Sequence, residues 1–350
     1  MTSEAPQYVI DIANPLDQAD LERLRHVLDH EPVLILTHHN PDPDALAAGA
    51  GLAYLLESKW GLAVHQRYSG LVARAENIAM LKHLTPEWSK IAALSDITAY
   101  KSIILVDTQP GAGNNILPLD IGPDAVFDHH QPIRSPISDV PYLDVRPEIG
   151  AAATLVTQHL EVANLDIPPR LATALFYGIK TDTRGLSRGA AAGDKIAYIN
   201  LLGSVDHDIL LRVEHPERPV TFFRSLAEGL GAAQVYGSAV VALLGDMQRS
   251  DFAAELADLL IMLEGAQGVL CAGRHDGILQ LSVRTGPLEK DAGLLIQQIV
   301  ADLGRGGGHG VMAGGQIRLQ GQDSEVIEAI LTSRFLDLLE EDNSSGISLI

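Results

Sequence analysis

Hydrophobic positions along the chain follow two alternating rhythms. Residues 17–29 place Leu21, Leu24, Val27 and Leu28 three or four apart, the spacing of one helix face. An unbroken apolar run follows at 33–37 (VLILT), branched enough for a strand buried on both sides. Residues 44–57 return to helical spacing, with Leu52, Leu55 and Leu56 on one face. Two more strands are read at 103–107 (IILVD) and 125–128 (AVFD), and 150–181 reads as mostly helical, with Pro168–Pro169 opening a new helix. Buried strands alternating with helices predict a parallel sheet covered on both faces.

The rhythm changes after about residue 205. The segment 205–234 is polar and helical, contains Pro216 and Pro219, and reads as a connector. Beyond it, strands are expected at 238–245, 268–273, 278–284 and 314–319, and helices at 251–264, 289–303 and 323–340. A Gly-rich turn is expected at 304–310 (GRGGGHG), and the tail 341–350 is expected to fray in part. The fold class is therefore α/β: an N-terminal parallel-sheet domain (1–205), a helical connector (206–234), a smaller C-terminal α/β domain (235–340) and a tail (341–350).

Composition narrows the function. The 350 residues are 46% hydrophobic and 20% charged, enough apolar residues for two cores. Lys and Arg number 25 against 45 Asp and Glu, a formal charge of -20, which argues against gripping long duplex DNA through a broad basic face. A small anionic substrate held by a few local cations stays open. A single cysteine, Cys271, excludes an intrachain disulfide and a Cys-rich zinc module, and it reads as inert core. The first residues carry no basic segment ahead of an apolar one, so no signal peptide is read there. The most apolar uncharged runs, 47–56 and 237–245, fall well short of the roughly 18–20 residues that span a bilayer, so a cytoplasmic protein without membrane contact is expected.

Chemistry-bearing residues gather at the ends of the predicted strands, where open α/β sheets bind ligands. They are 38–44 (HHNPDPD), Asp107, 128–130 (DHH) and, at the end of a predicted helix, Asp182. Each has an ordinary reading when taken alone. Asp107 suits a turn, Asp42 and Asp44 suit helix caps, and a lone His pair suits hydrogen bonding. The joint pattern of His38, Asp42, Asp44, Asp107, His129 and Asp182 changes the balance. Two imidazoles and four carboxylates suit hard-to-borderline divalent ions such as Mn²⁺, Mg²⁺ or Co²⁺, and two such ions would cancel the four negative charges. A close metal pair serves displacement at phosphorus.

These residues resemble the DHH phosphoesterase superfamily. Its first motif, His-x-x-x-Asp-x-Asp, matches His38, Asp42 and Asp44. The strand-ending Asp matches Asp107, the name-giving triplet matches Asp128, His129 and His130, and the Thr-Asp-Thr segment matches 181–183. The C-terminal half resembles the DHH-associated domain through 306–315 (GGGHGVMAGG), although Met312-Ala313-Gly314 stands where the family often has Ala-Ala-Gly.

The resemblance implies roles. His38, Asp42 and Asp107 would hold one metal and Asp44, Asp107, His129 and Asp182 the other, with Asp107 bridging. Manganese is the family's usual ion, and a bridging water is its nucleophile. His130 would touch the substrate phosphate, and Asp128 would orient an imidazole. Arg284, Gly306, Gly307, Gly308 and His309 would bind substrate, the glycines by admitting positive φ and close backbone approach. His39 is expected to face away, and Arg134, Arg184 and Arg188 are open between phosphate contact and surface pairing. Two-domain chains of this length resemble the type that trims very short RNA (nanoRNA, dinucleotides), in either polarity, and dephosphorylates adenosine bisphosphate. Inorganic pyrophosphatase or exopolyphosphatase activity is the enzymatic alternative and a non-catalytic nucleotide sensor the other; a homodimer is open.

Overall fold

The computed structural model describes residues 8–9 and 15–350, apart from 92, 135–136, 287–289, 320 and 344–345. It divides into two compact units, 1–216 and 217–350. The division falls inside the expected connector.

The first unit is built on a sheet of seven strands: β1 (Tyr8–Val9), β2 (Val33–His39), β3 (Val64–Ser69), β4 (Ser89–Lys90), β5 (Ser102–Val106), β6 (Ala125–Asp128) and β7 (Tyr142–Val145). They lie in the order β1-β7-β6-β5-β2-β3-β4, and every neighbouring pair is parallel. The helices are α1 (Gln18–Val27), α2 (Pro43–Trp60), α3 (Ala75–His83), α4 (Ala152–Val162), α5 (Pro169–Asp182), α6 (Ala192–Leu202) and α7 (His207–Glu214). The chain runs outward from β2 through β3 and β4, then returns to place β5 on the other side of β2. That reversal opens a crevice beyond the carboxyl ends of β2 and β5.

Alternation along the strands explains the two-sided burial. Val33, Ile35, Ile104 and Val106 pack with α1, α2, α4 and α5, while Leu34, Leu36, Ile103 and Leu105 face a second core with Ile97, Leu117 and Val140. The second face is covered by irregular chain and short 3-10 turns rather than by long helices. The strands β3 and β7 were not legible in the sequence. β3 reads VHQRYS, and its inward Gln66 and Ser69 are polar.

The second unit holds α8 (Val220–Ala232), β8 (Ala233–Tyr236), β9 (Ala239–Asp246), α9 (Phe252–Leu260), β10 (Gly268–His275), β11 (Ile278–Thr285), α10 (Ala292–Val300), β12 (Arg305–His309), β13 (Met312–Arg318), α11 (Ser324–Leu339) and β14 (Ile347–Ser348). The sheet order is β12-β13-β11-β10-β9-β8-β14, antiparallel throughout except for β9 with β10. One face packs on α10 and α11, the other on α8 and α9. The expected connector is thus shared: Leu210 and Val213 of α7 join the first core, and Phe222 and Leu226 of α8 pack on the second unit. The tail contributes β14, which pairs with β8.

One local expectation is corrected. The run expected as a Gly-rich turn is the edge strand β12, hydrogen-bonded to β13 from Arg305 opposite Gln316 to His309 opposite Met312. Gly306 and Gly307 have no positive φ, whereas Gly308 (φ +154) and Gly310 in the turn (φ +57) do. What glycine supplies at 306 is room, since a Cβ there would lie 2.9 Å from Ile296 Cγ1 of α10. No helix among the described residues is long and apolar enough to cross a membrane.

Candidate metal centre

The crevice at the ends of β2 and β5 gathers the six proposed ligands. Asp107 is the first residue past β5. It takes φ +57, a left-handed turn that Asp tolerates better than most residues, while its N–H donates to the Phe127 carbonyl at 2.8 Å. The turn leaves its carboxylate 2% exposed, between two imidazoles: Oδ2 is 3.4 Å from His38 Nε2 and Oδ1 3.4 Å from His129 Nε2.

Each imidazole is aimed by a backbone carbonyl. His38 Nδ1 donates to the His39 carbonyl at 2.9 Å and His129 Nδ1 to the Ile149 carbonyl at 3.1 Å. Both Nε2 atoms are thereby turned inward with the lone pair a metal needs. His38 Nε2 is also 3.9 Å from Asp42 Oδ1, and His129 Nε2 lies 3.3 Å from Asp182 Oδ2 and 3.8 Å from Asp44 Oδ2.

The acids are held by helix ends. Asp42 caps α2, accepting from Ala45 N–H at 3.1 Å. Asp44, in the first turn of α2, is buried and accepts from the Ala152 and Ala153 amides at 2.6 and 2.8 Å, at the positive end of α4. Asp182 closes α5, where Arg188 Nη2 donates to its carbonyl at 2.6 Å and stands 3.5 Å from its Oδ1.

The ligand atoms form three overlapping groups that could each hold an ion: His38 with Asp42 and Asp107, Asp44 with His129 and Asp182, and Asp107 with His129 and His130. Asp107 Oδ1 and His129 Nε2 are buried without a hydrogen-bond partner. Orphaned buried acceptors facing one another are costly in a protein interior, and a divalent cation satisfies both. The residues present therefore fit the metals expected of them.

Electrostatics point the same way. Burial disfavours the charged imidazole of His38, but Asp107 and Asp42 outweigh it and hold its pKa well above the usual value. His129 behaves alike: burial is overcome by Asp107, then Asp44 and Asp182. Burial would raise Asp107, yet His129 and His38 hold it well below the carboxylate range. Asp44 is raised well above it by burial and by the Asp107 and Asp182 charges. Asp182 is pushed up to about 6, first by burial and then by Asp42. Protons stand in this cluster where cations would otherwise balance the charge.

The rest of the DHH triplet pairs with itself beside the ligands, His130 Nδ1 also standing 3.4 Å from Asp107 Oδ1. Asp128 is fully buried and accepts from His130 Nδ1 at 2.8 Å, leaving His130 45% exposed by side chain. Burial is outweighed by Asp128 and Asp107, which raise the His130 pKa to about 9. His39 Nδ1 contacts Ser69 Oγ at 2.6 Å, away from the ligands as expected.

Arg134 offers its backbone N–H to Gln109 Oε1, and Arg184 sits in the turn after α5 with φ +47. In the second unit, Arg284 is buried: Nε donates to Asp258 at 2.5 Å and Nη1 to Ser282 Oγ and the Val283 carbonyl. Gly307 is exposed on β12 with open space at its Cβ position, and the side chain of His309 lies outside the described residues. Cys271 is buried, which pushes its thiol pKa up. Sequence reasoning missed Gln109, Arg188 as a partner of Asp182, the Ile149 carbonyl and the α4 amides. The backbone groups left no signal in residue identity.

A parallel sheet with a His/Asp ligand set at its switch point defines a class of α/β proteins. Residues 32–179 match the DHH family, N-terminal domain, and this part of the chain is a DHH-superfamily domain. It is 33% identical over 290 residues, 82% of the chain, to an uncharacterized protein of Methanocaldococcus jannaschii, spanning 58% of that relative. It is 26% identical over 329 residues to the cyclic-di-AMP phosphodiesterase GdpP of Geobacillus thermodenitrificans, covering 87% of this chain and 48% of that one. A probable manganese-dependent inorganic pyrophosphatase of Streptococcus agalactiae is 24% identical over 151 residues, 43% of this chain and 48% of that one. The chain thus spans about half the length of these curated relatives. The crystal structure of an exopolyphosphatase-related protein from Bacteroides fragilis shares the fold, with TM-score 0.73 at 18% identity over 93% of this chain and 98% of that one.

Proposed function

We propose that the protein is a metal-dependent phosphoesterase that hydrolyses short oligoribonucleotides, dinucleotides above all, and adenosine bisphosphate. The observation that carries the reading is Asp107, whose two oxygens face His38 on one side and His129 on the other. Around it stand one group of His38, Asp42 and Asp107 and another of Asp44, His129 and Asp182, and Asp107 Oδ1 lies 3.4 Å from His129 Nε2 of the second, as a paired-ion site would need.

His38, Asp42 and Asp107 would hold one ion, and Asp44, Asp107, His129 and Asp182 the other, with manganese the first choice. Bound there, two such ions supply a water of lowered pKa and neutralise charge gathering on the phosphoryl oxygens. The chain's own residues do the rest. His130, pinned through Nδ1 by Asp128, turns Nε2 outward to donate to a phosphate oxygen. The Ile149 carbonyl and the α4 amides keep His129 and Asp44 from turning away, so the acceptor atoms need no rearrangement as charge develops.

The second unit we assign as a DHH-associated substrate domain, on the strength of 306–315. Arg284 and the Gly306–His309 strand would meet the substrate's outer phosphate or base. Nε and Nη1 of Arg284 are taken by Asp258, Ser282 and the Val283 carbonyl, and Nη2 is the part of its fork we assign to an anion. The formal charge of -20 suits a substrate too short to need a long basic track.

The test is a Mn²⁺-supplemented panel: adenosine bisphosphate, dinucleotides, a longer oligomer, pyrophosphate and polyphosphate. Mononucleotide release from dinucleotides at the highest kcat/KM is expected. Preferential release of phosphate from pyrophosphate or polyphosphate would overturn the substrate reading in favour of the pyrophosphatase one. Tight binding of dinucleotides with no turnover would favour a sensor.

A further inference from the structure

We infer that Gln109 is a positioning residue that decides which carboxylate His130 binds, keeping it on Asp128 and off the metal ligand Asp107. The inference rests on the phosphoesterase reading for its consequence, but on geometry for its substance.

Gln109 lies two residues past Asp107 and is 2% exposed. Its amide is fully used. Nε2 donates to Asp128 Oδ2 at 2.6 Å and to the His130 carbonyl at 3.0 Å, and Oε1 accepts from the Arg134 N–H at 2.7 Å. These partners fix the orientation of the amide, because exchanging O and N would set an oxygen against a carboxylate and a carbonyl and a donor against a donor. The residue is itself held from behind. Asn115 Nδ2 donates to the Gln109 carbonyl at 2.9 Å and to Thr108 Oγ1 at 3.0 Å, and Thr108 Oγ1 donates to Asn114 Oδ1 at 2.7 Å.

The consequence falls on His130. Its Nδ1 is 2.8 Å from Asp128 Oδ1 but only 3.4 Å from Asp107 Oδ1, so two carboxylates compete for it. Asp107, His129 and His130 also stand close enough together to ligate one ion. With Nδ1 given to Asp128, His130 presents Nε2 outward, to substrate. With Nδ1 turned to Asp107, it would enter the ligand set instead. Gln109 anchors the far oxygen of Asp128, so that Asp128 cannot rotate and release the histidine. One amide thereby ties the Asp107 segment to the stretch 128–134 that carries the substrate-facing side chain.

The test pairs Gln109→Met, close in length but without the hydrogen bonds, with Gln109→Glu, the same size but unable to donate to Asp128. In the Mg²⁺-loaded full-length protein, ¹⁵N-labelled at histidine, wild type is expected to show a His130 Nδ1–H proton protected from exchange. Both variants are expected to lose that protection while the His38 and His129 signals persist. On dinucleotides with Mn²⁺, Gln109→Met is expected to lower kcat/KM roughly 10- to 100-fold. In a His130→Gln background it is expected to cause no further loss, because the two residues act through one contact. Unchanged protection of the His130 proton in both variants would overturn the inference, as would losses that multiply in the double variant. If wild type turned over nothing in the panel, the proposed function would fail while the exchange measurement still decided the role of Gln109. A variant that does not fold leaves the other to be read.

Discussion

Asp44 accepts a 2.6 Å hydrogen bond from the amide of Ala152, a residue 108 positions further along the chain. A second bond, from Ala153, makes the carboxylate both a ligand candidate and the cap of α4. Two demands meet in one side chain. Asp44→Ala should leave two buried N–H groups without an acceptor and lower metal-free stability by roughly 1–3 kcal/mol. It should also reduce Mn²⁺ stoichiometry from two to one by isothermal titration calorimetry. Two ions still bound in the variant would contradict the assignment of the second group.

Asp107 faces both imidazoles, so its removal should be felt at both ions. Asp107→Ala is expected to lower kcat on dinucleotides at least ~10³-fold, the scale at which a shared electrostatic element acts. Far-ultraviolet circular dichroism should stay that of wild type. Turnover at the parent rate would show that the chemistry lies elsewhere.

The pH dependence has a definite sign. In the metal-free protein, the Asp107 carboxylate and its neighbours outweigh burial and raise the pKa values of His38 and His129, so both hold a proton more tightly than a free imidazole. Metal uptake needs their Nε2 lone pairs, so it expels protons and weakens as pH falls. Calorimetry in buffers of different ionisation enthalpy should register net proton release at pH 7, and uptake without it would contradict the protonation pattern.

The stability of the metal-free protein follows from the same groups. A histidine with a raised folded pKa contributes stability that is whole below about 6.5 and lost as pH rises through the folded value. Asp182, raised to about 6, likewise binds its proton more tightly when folded, and stability falls as pH rises from about 4 to 6. Metal-free Tm should therefore decline with rising pH through neutrality. Mn²⁺ at a hundred times its Kd should restore about 2.7 kcal/mol. Chelation with EDTA should reverse the gain, which differential scanning calorimetry can follow.

The glycines of β12 separate packing from function. Gly306→Ala would set a Cβ 2.9 Å from Ile296 Cγ1 and should cost roughly 1–3 kcal/mol in thermal unfolding. Gly307→Ala meets nothing within 4 Å and should leave Tm nearly unchanged. If Gly307 lies against substrate, KM for dinucleotides should rise in Gly307→Ala with Tm unmoved. An unchanged KM would remove it from the binding surface.

Much of this architecture was legible because apolar runs ended on chemistry. VLILT before His38, IILVD at Asp107 and AVF before Asp128 announced both the strands and the His and Asp side chains that cluster at their ends. The strand β3 escaped because it buries polar side chains, and β12 because glycine runs are commoner in turns than in edge strands. The cluster of His and Asp side chains could be read, but its supports could not. The Ile149 carbonyl and the α4 amides act through backbone, which any residue supplies. Gln109 carries a signal only once Asp128 is known to lie beside it. Arg284 was readable as a cation, whereas its Asp258 partner, 26 positions away, depends on how the sheet packs on α9.

The most direct measurement is anomalous diffraction at the manganese absorption edge from crystals grown with millimolar Mn²⁺. Two peaks are predicted, one among His38, Asp42 and Asp107 and one among Asp44, His129 and Asp182. No peak among these residues, or ions bound only elsewhere on the molecule, would contradict the account.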